Sequence, residues 1–406
     1  MTMRQRMTFR QPTLRHFILG TVPFLLATAF LSATTSRAQD NPTFKIDEDI
    51  TRFAYSAGGR IAFATRHVYS MKKIALQRDD IWISETDGKK HRILLGEKFV
   101  RGSGPFSYTV RGLRWSPDGT KLTVDLATSE MINDDGDTRA GVMTLLLDDT
   151  GREITLAGTD SVIAGATNAA WLTDGATVAY LTEVPRASAA PASAAGTTPP
   201  PDAPPTPPAN KLFTLNRVRA LSEGATALLQ GHLFSTVTWS AKQDGGVAIE
   251  REQGVADSPR LVQLDLAQEK LRVVATLEGY TGGLTLSPSG KKVAYWINNE
   301  QLEVRDVDAP NRLVRMRVSL GTLAWSGNET RVLVKRGPVA RSGGLAWVTL
   351  PPLSIIATGV APTVVEVFPQ SILHDLEFRQ FDITPDGKSL ALIEPGKGNL
   401  LVYPVM

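Results

Sequence analysis

Two short runs of this chain hold the side chains best suited to recognition. Arg66, His67, Tyr69, Lys72, Lys73 and Arg78 form a basic arm with an aromatic in it, and Asp134, Asp135 and Asp137 form an acidic one. Such arms can hold a protein surface or a peptide of mixed charge, or pair with each other. Asn133-Asp134-Asp135-Gly136-Asp137 also looks like the start of a calcium loop. It lacks the bidentate Glu that such a loop needs, and Asp-Gly is ordinary turn chemistry, so no metal is expected. The histidines His16, His67, His91, His232 and His374 stand singly, at no spacing that shares a metal. A serine nucleophile would need a Gly-x-Ser-x-Gly elbow and a His held by a carboxylate. The elbow is absent. No catalytic residue and no cofactor are expected. Trp115, Trp171, Trp239 and Trp325 could stack on sugar rings. Their fixed place in a repeat points instead to packing between repeated units.

The elements that carry these residues follow from one recurring phrase. An apolar residue or Trp precedes Ser-Pro-Asp-Gly, and a β-branched run follows. Trp115-Ser116-Pro117-Asp118-Gly119 is the clearest copy; Pro385-Asp386-Gly387, Leu286-Ser287-Pro288-Ser289-Gly290 and Trp171-Leu172-Thr173-Asp174-Gly175 repeat it. Worn copies are Trp239-Ser240 with Asp244-Gly245, Trp325-Ser326 with Asn328, and Tyr55-Ser56 with Gly58-Gly59. Pro presets φ for a type I turn, Asp suits the next position, and Gly follows where φ is often positive. The flanking runs, such as Val178–Leu181 and Val293–Trp296, are short, apolar and bounded by turns, as buried strands are. Two further strands follow most hairpins, for example Val142–Leu145 then Glu153–Leu156. Four strands per repeat make a propeller blade. The expected fold is all-β: a seven-bladed β-propeller of four-stranded antiparallel blades. The last repeat ends after three strands, so Thr43–Ile46 is expected to supply its fourth and close the ring.

Residues 1–38 read as a signal peptide. Arg4, Arg6, Arg10 and Arg15 precede an apolar stretch, Phe17 to Ala33, and Ser36-Arg37-Ala38 offers small residues before a cut at Gln39. An uncleaved anchor is the alternative, although Gly20, Pro23 and the stretch's shortness argue against a span. Removing the leader's five arginines turns the formal charge from +3 to −2, which removes the case for nucleic acid. Export without any Cys suits a bacterial periplasm, or secretion. Residues 39–406 then form a single propeller domain, expected to be a monomer with no stable membrane span. Pro185 to Asn210 carries nine prolines among Ala, Ser and Thr, and reads as an extended insertion in blade three.

In a propeller, the connections between second and third strands share one face. The insertions Arg66–Asp79, Ala127–Ala140 and Pro185–Asn210 are all of this kind, and the link Gly96–Thr109 joins them there. That face, over blades one to three, is the expected binding surface, because recognition concentrates on loops carried by rigid scaffolds. The inner strands offer mainly Ala, Leu, Thr and Trp, which argues against chemistry in the central channel.

The Trp-Ser-Pro-Asp-Gly phrase with its following strand resembles the TolB-type propeller repeat, also found in the N-terminal propellers of prolyl-oligopeptidase-like enzymes. The resemblance covers nearly all of the chain after the leader. It implies a propeller and a binding role in the cell envelope, toward a protein or peptide partner. It departs from TolB in lacking the α/β domain that precedes a six-bladed ring, and from the peptidases in lacking the hydrolase domain. Two other readings stay open: a propeller lyase or hydrolase with its site in the channel, and a regulatory propeller of a separately encoded peptidase.

Overall fold

The computed structural model describes residues 42–404, except 72–73, 100–104, 132–137, 157–159, 186–210, 220–223, 252–258, 319–320, 336–344, 352, 354–362, 369–379 and 395. The expected leader, the Pro-rich insertion from 186 on, Lys72, Lys73, Asp134, Asp135 and Asp137 therefore lie outside the described residues. The described residues are all-β, with no helix.

The strands pair antiparallel, in sheets that follow the repeats. After β1 (Phe44–Ile46) comes a four-stranded sheet of β2 (Ile50–Tyr55), β3 (Ile61–Thr65), β6 (Asp80–Ser84) and β7 (Lys90–Leu94). A separate hairpin of β4 (Val68–Met71) and β5 (Ile74–Gln77) is inserted within it. Next is β8 (Phe106–Trp115), β9 (Lys121–Met131), β10 (Thr138–Asp148) and β11 (Val162–Ala164). Then follow β12 (Ala166–Trp171), β13 (Thr177–Glu183), β14 (Phe213–Arg219) and β15 (Thr226–Leu228), and after them β16 (Phe234–Trp239), β17 (Gly245–Glu250), β18 (Arg260–Asp265) and β19 (Lys270–Thr276). A single pair, Phe213 with Phe234, joins these two sets into one sheet. Two more four-stranded sheets are β20 (Tyr280–Leu286), β21 (Lys292–Ile297), β22 (Gln301–Asp306) and β23 (Leu313–Arg317), then β24 (Leu323–Trp325), β25 (Arg331–Lys335), β26 (Leu345–Thr349) and β27 (Thr363–Phe368). The last holds β28 (Phe381–Ile383), β29 (Ser389–Ile393) and β30 (Leu400–Pro404), with β1 on its outer edge. There Phe44 faces Val402 and Ile46 faces Leu400.

The turn phrase works as its residues suggest. Gly119 N–H donates to Ser116 C=O at 2.9 Å, and Ser116 N–H donates to Lys121 C=O at 2.8 Å. Ser116 Oγ accepts from Lys121 N–H, and Asp118 Oδ1 from Thr120 N–H. Gly119 has φ +71°, a region that Gly enters without a Cβ penalty. The same pair of backbone bonds recurs at Ser56, Leu172, Ser240, Ser287, Ser326 and Thr384. Two details differ from expectation. Gln243, not Gly245, takes the left-handed turn position, with φ +55°. Gly245 instead opens β17, where a Cβ would lie 2.2 Å from Leu264 O. In repeat two, Glu153–Leu156 is not the fourth strand. Only Glu153 bridges, to Leu147, and β11 pairs with β10 in its place.

Hydrophobic clusters lie between sheets that are neighbours in sequence. One joins the first two sheets through Ile81, Ile83, Trp115 and Leu122, and another joins the last to the first through Ala391, Ile393, Ile50 and Phe63. The repeat tryptophans are the pegs: Trp115, Trp171, Trp239 and Trp325 are all buried. Trp115 Nε1–H donates to Ala54 C=O at 3.1 Å and Trp239 Nε1–H to Asn168 C=O at 2.9 Å, each on the preceding repeat. Their rings are spent on packing rather than on sugars.

Candidate functional site

The first insertion is built, not loose. The hairpin β4–β5 returns the chain to Arg78, which bridges to Tyr108 of the long strand β8. Arg78 is only 1% exposed. Its Nε donates to Phe106 C=O at 2.6 Å and its Nη1 to Glu97 C=O at 3.1 Å. Phe99, Phe106 and Tyr108 pack beside it ring against ring and extend the core of blades one and two. Arg78 thus satisfies carbonyls inside the fold and presents no charge to a partner. The three remaining described residues of the basic arm gather near two buried carboxylates. Tyr69 OH donates to Asp80 Oδ1 at 2.8 Å, and burial with that bond pushes the phenol up to about 12. Arg92 Nη1 reaches Asp80 Oδ2 at 3.1 Å, and His67 Nε2 lies 3.8 Å from the same oxygen. Burial pushes the Asp79 carboxyl up, against a hydrogen bond from Val110 N–H and the charge of Arg66. Much of this basic charge is therefore answered within blade one itself. The exposed feature of the hairpin is apolar: Val68 is 68% exposed.

The second insertion lengthens blade two. β9 and β10 pair without a register shift from Lys121–Asp148 to Met131–Thr138, so this sheet projects past its neighbours, whose strands are shorter.

The channel, left as an alternative site by the sequence, holds a second candidate whose charged residues the sequence did not single out. A cavity of about 710 Å³ is lined by the first strands β2, β8, β16, β20, β24 and β28. Arg114 and Asp382 lie in its wall, each two residues before its turn's Ser116 or Thr384. The equivalent positions elsewhere are Ala54, Ala170, Thr238, Thr285 and Ala324, so the two unlike charges stand out against a bland ring. Arg114 Nη2 donates to Asn168 Oδ1 at 3.2 Å. Gln243 Nε2 donates to Trp115 C=O at 2.7 Å, while its buried Oε1 has no partner among the described residues. Asp382 lines this cavity and is itself exposed there. Desolvation by the surrounding strands pushes its carboxyl up to about 6, opposed only by Ile383 N–H, and its exposure keeps the effect on stability small.

A raised folded-state value means that the folded protein holds this proton more tightly than the unfolded chain. Ionising Asp382 therefore costs stability as pH rises from the ordinary carboxylate range through about 6. Asp382→Asn should raise the thermal midpoint at pH 7.5, with the gain shrinking toward pH 4. Melts of both proteins at the two pH values check this; an equal difference at each would refute it.

Among the described residues, no group of three or more His, Asp or Glu is placed to hold a metal, and no helix is long and apolar enough to cross a membrane. No family model and no curated protein matches the sequence. Solved structures do match. A chain of the mitotic checkpoint complex is 13% identical, covering 97% of this chain and 99% of its own, with a TM-score of 0.50. The β-propeller domain of Cps50 (Swd1) from Myceliophteria thermophila is also 13% identical, covering 90% of this chain and 99% of its own, with a TM-score of 0.50. TolB from Acinetobacter baumannii is 14% identical over 73% of this chain and 62% of its own, at a TM-score of 0.39. At such identities the likeness is one of fold, and the fold is a β-propeller.

Proposed function

We propose that this chain is an exported, non-catalytic binding protein, built as a seven-bladed ring, that holds a protein or peptide partner on the face elaborated by its first blades. The turn phrases, the interblade clusters and the reciprocal bonds between Phe53 and Gln380 support the seven-bladed closure. The leader with its small residues before Gln39 supports export to a periplasm or the exterior, and the repeat phrase supports a TolB-like envelope role. One observation carries the binding reading. The insertion of blade one is fastened to blade two by the buried Arg78, whose Nε donates to Phe106 C=O, and by Tyr108 OH and Val110 N–H, which donate to Asp79. Length that a fold merely tolerates needs no such anchor, whereas a recognition surface must be held in shape.

The test uses the mature protein, residues 39–406, as bait in an envelope extract, beside Val68→Asp. That exposed residue lies outside the ring's core, so the variant should melt as the wild type does and lose its partner. Capture by both proteins alike would remove the binding site from this face. A second reading draws on Arg114 and Asp382: a ligand or catalytic site in the channel. Turnover in a peptide and glycan hydrolysis or lyase screen, abolished by Asp382→Asn, would favour it.

A further inference from the structure

β11 covers only part of β10, pairing with Met143–Leu145. Among the described residues, the outer edge of β10 from Thr138 to Val142 has no neighbouring strand, and all five residues are exposed. The register tells which backbone groups face outward. Gly165 N–H donates to Val142 C=O, and Leu146 N–H to Ser161 C=O. Even-numbered residues of β10 thus turn their backbone groups away from β9. The far side of β9 agrees: Met131 N–H points to Pro105 C=O, and Met131 faces Thr138. Alternation along an antiparallel ladder then leaves the N–H and C=O of Thr138 and Ala140, and the N–H of Val142, without a ladder partner among the described residues.

Free edges of this kind are usually blunted by Lys, Pro or a bulge. This one is Thr-Arg-Ala-Gly-Val, with one charge, on a strand that pairs in unbroken register with β9. We infer that the Thr138–Val142 edge is a docking site for an extended segment of a protein partner, which adds to blade two as a further strand in line with β11. The inference rests on the binding reading above and names the chemistry of its partner. Only an extended chain offers donors and acceptors at the two-residue spacing that this edge presents. The chain's own Pro-rich insertion is a poor occupant, because its nine prolines have no N–H to give. A second copy would bring an equally short edge of small side chains, far from the roughly 600 Å² per partner that a stable interface buries. Ala140 and Gly141 leave room for β-branched residues opposite them.

Ala140→Pro removes an outward N–H and leaves the β9 ladder intact, a placement that edge strands tolerate. The probe is a fluorescein-labelled peptide, Lys-Thr-Val-Thr-Val-Thr-Lys, beside the same peptide N-methylated at alternate amides. The wild type should bind the first, with amide exchange slowed at Thr138, Ala140 and Val142 but little changed at Arg139 and Gly141. Ala140→Pro and the methylated peptide should each weaken binding at least tenfold, with the thermal midpoint of the variant unchanged. Equal binding by wild type and variant, or none by the wild type, overturns the inference. Extract capture that survives Ala140→Pro but not Val68→Asp also overturns it and leaves the binding face standing. Peptide binding with no capture from extract supports the edge and counts against the broader reading. A dimer in sedimentation that Ala140→Pro dissolves would give the edge to a second copy and overturn the assignment to a partner.

Discussion

Arg78→Met is expected to destabilise the protein by about 3 kcal/mol or more, since hydrogen bonds to a charged group contribute roughly 1.5–3 kcal/mol each and their loss strands buried carbonyls. Arg78 is buried at the point where the first insertion meets blade two, and it serves Phe106 C=O and Glu97 C=O. Met fills the volume but offers no donor. Arg78→Lys should rescue little, because an ammonium lacks the planar fork that serves carbonyls in two directions. Urea unfolding of the three proteins checks the ranking. A variant as stable as the wild type would return Arg78 to the exposed arm that its sequence neighbours suggest. The contrast with Val68→Asp is informative. Both changes lie in one insertion, yet one should cost stability and the other only partner capture.

Glu303→Gln should cost about 3–5 kcal/mol at neutral pH, the range seen when one partner of a buried ion pair is removed. Glu303 is 1% exposed on β22. Arg305 Nη2 lies 2.5 Å from its Oε1 and Arg315 Nε lies 2.6 Å from its Oε2. Tyr295 OH also donates to Oε1. Burial alone would push this carboxyl up, but the bonds from Tyr295 and Arg315 and the charge of Arg305 outweigh it and hold it below the usual range. The sign follows. A depressed carboxyl contributes stability that is present above the unfolded-state value and lost as pH falls through the folded one. The gap between wild type and Glu303→Gln should therefore be full at pH 7 and close in acid. A gap that holds constant from pH 7 to pH 2.5 would show that shape, not charge, makes the difference.

The turns, the strands that flank them and the interblade place of the tryptophans were legible in the residues, because each depends on neighbours a few positions away. Ser116 to Lys121 closes its own hairpin wherever it is placed. Thr43–Ile46 could also be placed on the last blade, since a three-stranded repeat leaves one edge wanting a partner. Other matters belonged to the tertiary structure alone. Gln243 takes the left-handed turn position that composition assigned to Gly245, and Gly245 is needed instead where Leu264 leaves no room for a side chain. Arg78 reads as a surface cation until β8 and the Glu97 carbonyl close over it from 28 and 19 residues away. Arg114 and Asp382 are 268 positions apart in the chain, and only the packing of the first strands puts both in one cavity. The free edge of β10 depends on where β11 stops. Local chemistry determines turns and strand faces, whereas burial and pairing are set by segments that meet only once the sheets have packed.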